Sequence, residues 1–167
     1  MSKTTKTVLI VCAIILVCCI PIFFLALFVL AVPAMQRVTI KANETAAIFA
    51  LRSLNRAETQ YSVTYPERGF SCSMVALGGD PASGPPTADA AHLIPVDLAY
   101  GDKAGYNFVI SNCAKKTADN HDAFVSYKIT AVPDRPGHTG VRSYCTDESG
   151  EIRFDPKGGT NCTEVLQ

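Results

Sequence analysis

PAMQRVTIKANETAAIFALRSLNRAETQYSVTY, residues 33–65, is the stretch whose reading decides the fold. Ala47, Ala50, Leu51, Leu54, Ala57 and Tyr61 recur at offsets of three and four, which in an α-helix places them on one side. Lys41, Glu44, Arg52, Asn55, Arg56 and Thr59 are assigned to the opposite, solvent side. The segment is therefore read as an amphipathic helix whose apolar stripe needs a surface to cover. No Pro lies between Pro33 and Pro66 and no Gly precedes Gly69, so nothing in the backbone chemistry stops the helix before about residue 65.

That surface is expected downstream. Residues 66–103 change to Gly, Pro, Ala and Ser, with Gly78-Gly79-Asp80-Pro81 and Gly84-Pro85-Pro86 as breakers, and read as a connecting loop with one helical turn around 90–98. Four strands are expected in 104–167, at 105–111, 124–132, 140–146 and 151–155. Tyr106, Phe108 and Ile110 alternate with Asn107 and Val109, and Val125, Tyr127, Ile129 and Ala131 alternate with Ser126, Lys128 and Thr130. Short, turn-rich connections at 118–122, 133–139 and 147–150 make the sheet an antiparallel meander. The expected class is α+β, a long N-terminal helix packed on a small antiparallel sheet of about four strands.

Upstream, 8–32 is uncharged and apolar apart from Pro21. At about 1.5 Å per residue it would extend roughly 37 Å, against a hydrocarbon core of about 30 Å, and it reads as a transmembrane helix continuing into 33–65. Residues 1–7 are then a cytoplasmic tail. A cleaved secretory signal is the competing reading, since Lys3 and Lys6 form a basic start and Val29-Leu30-Ala31 obeys the small-residue rule, but the apolar run exceeds the usual 7–15 residues of such signals. Cys12, Cys18 and Cys19 lack the preceding small residue of a lipobox and read as small apolar groups. Lys3 and Lys6 on one side against Arg37 and Lys41 on the other leave the positive-inside rule undecided.

The 15 basic and 15 acidic residues balance, and a near-neutral surface argues against nucleic-acid binding. Cys72, Cys113, Cys145 and Cys162 lie in the polar part without the C-x-x-C spacing of a zinc site or redox pair, and read as two disulfides in an oxidising compartment. Spacing leaves all three connectivities open.

Ala31-Val32-Pro33, Lys41-Ala42-Asn43-Glu44-Thr45-Ala46-Ala47, and Leu51-Arg52-Ser53-Leu54-Asn55-Arg56-Ala57-Glu58-Thr59-Gln60-Tyr61 together resemble a segment of bacterial type IV pilin-like proteins. Tyr65-Pro66, Gly69-Phe70, Ala76-Leu77-Gly78-Gly79, Gly105-Tyr106, Gly140-Val141-Arg142-Ser143 and the run from Thr146 to Arg153 are similar to the same group. The resemblance covers about residues 31–167 and implies a type IV pilin or type II secretion pseudopilin. It implies a single-pass inner-membrane protein with a periplasmic or extracellular domain, whose partners are the membrane at 8–32 and other pilus or secretion subunits. The C-terminal disulfide loop of many pilins favours Cys145 with Cys162, around the last expected strand. Cys72 with Cys113 would then pin the long loop to the first strand.

One part of the family pattern is missing. Counting back from Pro33, the prepilin Gly, Phe and Glu positions fall on Val11, Cys12 and Leu16, so the carboxylate that pairs with a neighbouring subunit during assembly is not there. No catalytic, cofactor-binding or metal-ligating set is read. His92, His121 and His138 are scattered over loops, and the turns at 119–122 and 147–151 lack the alternation of an EF-hand. Asn43-Glu44-Thr45 and Asn161-Cys162-Thr163 fit the glycosylation triplet by coincidence. Two functions remain: a non-enzymatic, membrane-anchored pilin-like subunit or accessory protein of a type IV pilus or type II secretion system, or a stand-alone, membrane-anchored envelope binding domain of pilin-like fold that does not assemble into filaments and displays its sheet and loops, 66–103 and 133–139 among them, to a ligand.

Overall fold

The computed structural model describes the backbone of residues 3–118 and 121–166, and the side chains of these except 3, 5–19, 26–34 and 118. The chain divides into two compact units, Met1–Val38 and Thr39–Gln167. Helix α1 spans Lys3–Thr64 and contributes to both.

The first unit corrects the expectation of a membrane-spanning helix. Among the described residues no helix is long and apolar enough to cross a membrane. From Met35 onward α1 interleaves Arg37, Lys41, Glu44, Arg52, Arg56 and Glu58 with its apolar residues. Residues 8–19 and 26–32 of the expected span lie outside those whose side chains are described. The single-pass reading of 8–32, the inner-membrane location and the membrane as a partner are therefore set aside.

Among the described residues of the second unit, α1 is the one helix of seven residues or more, and the sheet has six antiparallel strands in the order β1-β2-β3-β4-β5-β6. These are β1 Asp102–Lys103, β2 Tyr106–Ala118, β3 His121–Pro133, β4 Ser143–Asp147, β5 Arg153–Asp155 and β6 Glu164–Val165. The expected four strands become six because β1 and β6 are two-residue edge strands, too short to display alternation. The stretch expected as the turn 118–122 is instead the far end of a long β2–β3 hairpin, with Thr117 paired to Asp122. A register shift between Ser111 and Ala114 marks a bulge, where Asn112 adopts φ 50°. The 66–103 connection carries α2 Met74–Leu77, a 3-10 turn Pro81–Ser83 and α3 Val96–Ala99.

Ala47, Ala50, Leu51, Leu54, Ala57 and Tyr61 are all buried and form one cluster with Tyr106, Phe108, Tyr127, Ile129, Ala131 and Tyr144 of the sheet. Each fully buried leucine contributes about 1.5–3 kcal/mol through apolar burial, so Leu51 and Leu54 anchor the helix. Leu77, Ala91, Ile94 and Leu98 extend the cluster, which is how the 66–103 connection acquires a core of its own. The other face of the sheet is covered around β4 by the C-terminal segment: Ser143 Oγ donates to the Gly159 carbonyl, Lys128 Nζ donates to the Thr160 carbonyl at 3.2 Å, and Cys145 is joined to Cys162, while Val109 and Val125 leave that face open on β2 and β3. Ser143 and Cys145 are consequently buried although they point away from α1's side of β4, where Tyr144 and Thr146 lie.

Candidate interaction groove and the polar clamps behind it

Three polar side chains of α1 lock the helix to the rest of the unit, and two of them overturn the helix-face assignment. Glu44 is 5% exposed, with Oε1 accepting from the backbone N–H groups of Val141 and Arg142 at 3.1 Å each and Oε2 from Arg142 Nε and Nη2 at 3.1 and 2.6 Å. Asn55 donates to Thr146 Oγ1 at 2.7 Å and accepts from the Tyr127 hydroxyl at 3.1 Å. Both were expected on the solvent side. Glu44 stands seven residues before Leu51 and ten before Leu54, spacings that return to the same side of a helix, and its polarity alone suggested the wrong face.

Glu58, not singled out from sequence, is fully buried. Its carboxylate accepts from Ser71 N at 2.7 Å and Ser71 Oγ at 2.8 Å. The signal was available, since Glu58 follows Leu54 by four and Leu51 by seven. The two carboxylates differ in electrostatics. Burial would raise the Glu44 carboxyl, but the Arg142 side chain, with the Arg142 and Val141 amides, outweighs it and holds the group below the ordinary range. Burial dominates at Glu58, which has no cation beside it, and the Ser71 and Cys72 donors only partly offset the rise.

Ser71 leads into a groove of about 520 Å³, within the size range of ligand pockets. Tyr61 of α1, Arg68, Phe70, Ser73 and Val75 of the following segment, Asp89, and Lys115, Asp122 and Phe124 of the β2–β3 hairpin line it. Its floor is set where Phe124 N donates to the Arg68 carbonyl at 2.9 Å and Phe70 N to the Phe124 carbonyl at 3.0 Å. A side chain at Gly69, φ 70°, would run into the Phe124 carbonyl, so this close approach requires glycine. Arg68 pairs with Asp89 at 2.8 Å at the exposed rim, and Lys115 Nζ sits 5.0 Å from the Phe124 ring centre. The Tyr61 hydroxyl donates to the Ala88 carbonyl at 2.7 Å.

Of the three possible cysteine connectivities, the one present joins Cys72 to Cys113 and Cys145 to Cys162. The first bridge ties the groove segment to the hairpin. Cys72 adopts φ 51°, a conformation a non-glycine residue occupies only when its surroundings enforce it. Among the described residues no group of three or more His, Cys, Asp or Glu is placed to hold a metal ion. In the 147–151 turn, Asp147 Oδ1 accepts from Ser149 N at 3.0 Å and Ser149 Oγ at 2.5 Å, so that carboxylate caps its own turn. The expected loop surface at 133–139 is a tight turn, with Thr139 bonded to Arg135 at both ends and its carbonyl accepting from Asn43 at 2.9 Å. No family model, curated protein or solved structure matches the chain.

Proposed function

We propose that the chain is a non-enzymatic, pilin-like subunit or accessory component of a bacterial type IV pilus or type II secretion system, working in an oxidising compartment. One observation carries the reading: the segment that resembles pilin-like proteins, including the Asn43-Glu44 pair, is the helix that lies on the antiparallel sheet and is clamped to it at Glu44. Both disulfides support the compartment, since such bonds persist where thiols are oxidised. A helix clamped to the unit through Glu44, Asn55 and Glu58, with the far face of β2 and β3 left open at Val109 and Val125, is suited to presenting surfaces.

The second reading is an envelope binding domain that does not assemble. Val11, Cys12 and Leu16 at the family's processing positions favour it, as does the groove beside Ser71. Intact-mass measurement of the protein isolated from its native cells separates the two. Loss of an N-terminal leader with one added methyl supports the assembly component, together with cross-links to pilus or secretion subunits. An unprocessed mass without such cross-links supports the binding domain and sinks the first reading.

A further inference from the structure

Within 39–64 the solvent face of α1 carries cations and no anion. Lys41, Thr45, Phe49, Arg52, Arg56 and Val63 are all exposed, and at about 100° per residue they fall inside an arc of about 80°. The two acids of this segment, Glu44 and Glu58, are 5% and 0% exposed, with their oxygens committed to Arg142, Val141 and Ser71. An ordinary exposed helix face mixes signs, because i,i+4 pairs of opposite charge stabilise it and like charges oppose it. Here Lys41, Arg52 and Arg56 take part in none of the four salt bridges among the described residues. Phe49 is 61% exposed, with the Arg52 guanidinium 5.8 Å from its ring centre. An exposed aromatic with an arginine beside it has the composition of an interface anchor.

The rest of the same chain supplies the complementary charge. Residues 65–167 hold 13 acidic against 9 basic residues. Glu67, Asp80, Asp102, Asp134, Glu148 and Glu164 are exposed acids that take part in none of the four salt bridges among the described residues.

We propose that this stripe is a docking surface for a second copy of the chain, whose acidic sheet-and-loop surface lies against Lys41, Arg52 and Arg56 with Phe49 as the apolar anchor. The contact joins two different surfaces, so it is heterologous and propagates from copy to copy unless the rotation closes a ring. It rests on the assembly reading above and names the surface that reading requires. The occupant is a copy of the chain because the charge balance of 65–167 is opposite to that of the stripe.

The test uses the full-length chain in sedimentation velocity at about 0.05 and 0.5 M salt, where screening shortens the reach of charge. The association constant should fall at least about tenfold at high salt, and the double variant Arg52→Glu/Arg56→Glu should lose association at low salt. Phe49→Ala should weaken association without changing its salt dependence. Carbodiimide treatment of mixed ¹⁵N-labelled and unlabelled protein should join Lys41 of one copy to a carboxylate of another. Association unchanged in the double variant would overturn this docking face while leaving assembly through another surface standing. A chain that stays monomeric at both salts overturns docking by a second copy, and the assembly reading is then judged on intact mass. Binding to anionic lipid vesicles or duplex DNA, lost in the double variant while the chain remains monomeric, would assign the stripe to that partner instead.

Discussion

Glu58 and Ser71 are joined through two hydrogen bonds, from Ser71 N at 2.7 Å and Ser71 Oγ at 2.8 Å, although the carboxylate is fully buried and has no cation beside it. This contact fixes the start of the 66–103 connection against α1. Its ionisation opposes burial, so the folded state holds the proton more tightly than the unfolded chain.

The sign of the resulting pH dependence follows. Above the ordinary carboxylate value and up to the raised folded value, the folded state binds a proton that the unfolded state has released, so stability falls as pH rises through that window. Melting curves from pH 4.5 to 7 should show wild type losing stability relative to Glu58→Gln, which keeps an acceptor and removes the ionisation. A constant difference between the two across this range would refute the assignment. Glu58→Ala should instead be destabilising at every pH, by about 1–3 kcal/mol, because the Ser71 donors lose their partner.

Glu44 acts in the opposite direction and in a lower window. Its depressed folded value means that the stability it contributes is present above the ordinary carboxylate range and is lost as pH falls through the folded value. Arg142→Met would leave the Glu44 carboxylate with only the Val141 and Arg142 amides. The Arg142 side chain is 39% exposed, so the cost should be about 2 kcal/mol, below that of breaking a fully buried pair. Urea denaturation at pH 7 measures it, and a change under about 0.5 kcal/mol would mean that solvent replaces the guanidinium freely.

The helix stripe offers a paired comparison. Leu54 is fully buried against the sheet while Arg52 is exposed on the opposite side. Leu54→Asp should bury an unpaired charge and cost several kcal/mol, enough to unfold the unit, whereas Arg52→Asp should shift stability by no more than about 0.5 kcal/mol. Equal melting temperatures would reject the packing.

These residues also mark how far the sequence was legible. The apolar stripe from Ala47 to Tyr61 was readable because a 3.6-residue period survives any context, and β2 and β3 because Tyr106, Phe108, Tyr127 and Ile129 alternate. Glu44, Asn55 and Glu58 were not, since residue type and helix period gave conflicting answers. Only the tertiary partners Arg142, Tyr127, Thr146 and Ser71 resolve that conflict in favour of burial. The two-residue strands β1 and β6 owe their form to pairing with β2 and β5 and carry no local signal. The groove was invisible for the same reason, because the hairpin brings Phe124 to Gly69 across more than fifty residues. The span expected at 8–32 rested on hydropathy alone, and among the described residues no helix satisfies it.

The two disulfides should differ in what they contribute. Cys72–Cys113 closes a separation of 41 residues and Cys145–Cys162 one of 17. In the chain-entropy model each restricts the unfolded state by an amount growing with the logarithm of loop length, so each contributes about 2–4 kcal/mol, the longer loop about 0.8 kcal/mol more. A second effect acts on the native state: without its bridge, Cys72 at φ 51° loses its covalent restraint and keeps the hydrogen bonds that Glu58 accepts from Ser71 and the Cys72 backbone. Cys72→Ser/Cys113→Ser should therefore lower stability more than Cys145→Ser/Cys162→Ser. It should also increase amide exchange in 69–76 selectively, whereas the second pair should loosen 156–165 over the far face of the sheet. Denaturation midpoints with peptide-level hydrogen exchange measure both. If the Cys145/Cys162 variant were the less stable, or if exchange in 69–76 rose equally in both, the assignment of the longer bridge to the groove wall would be wrong.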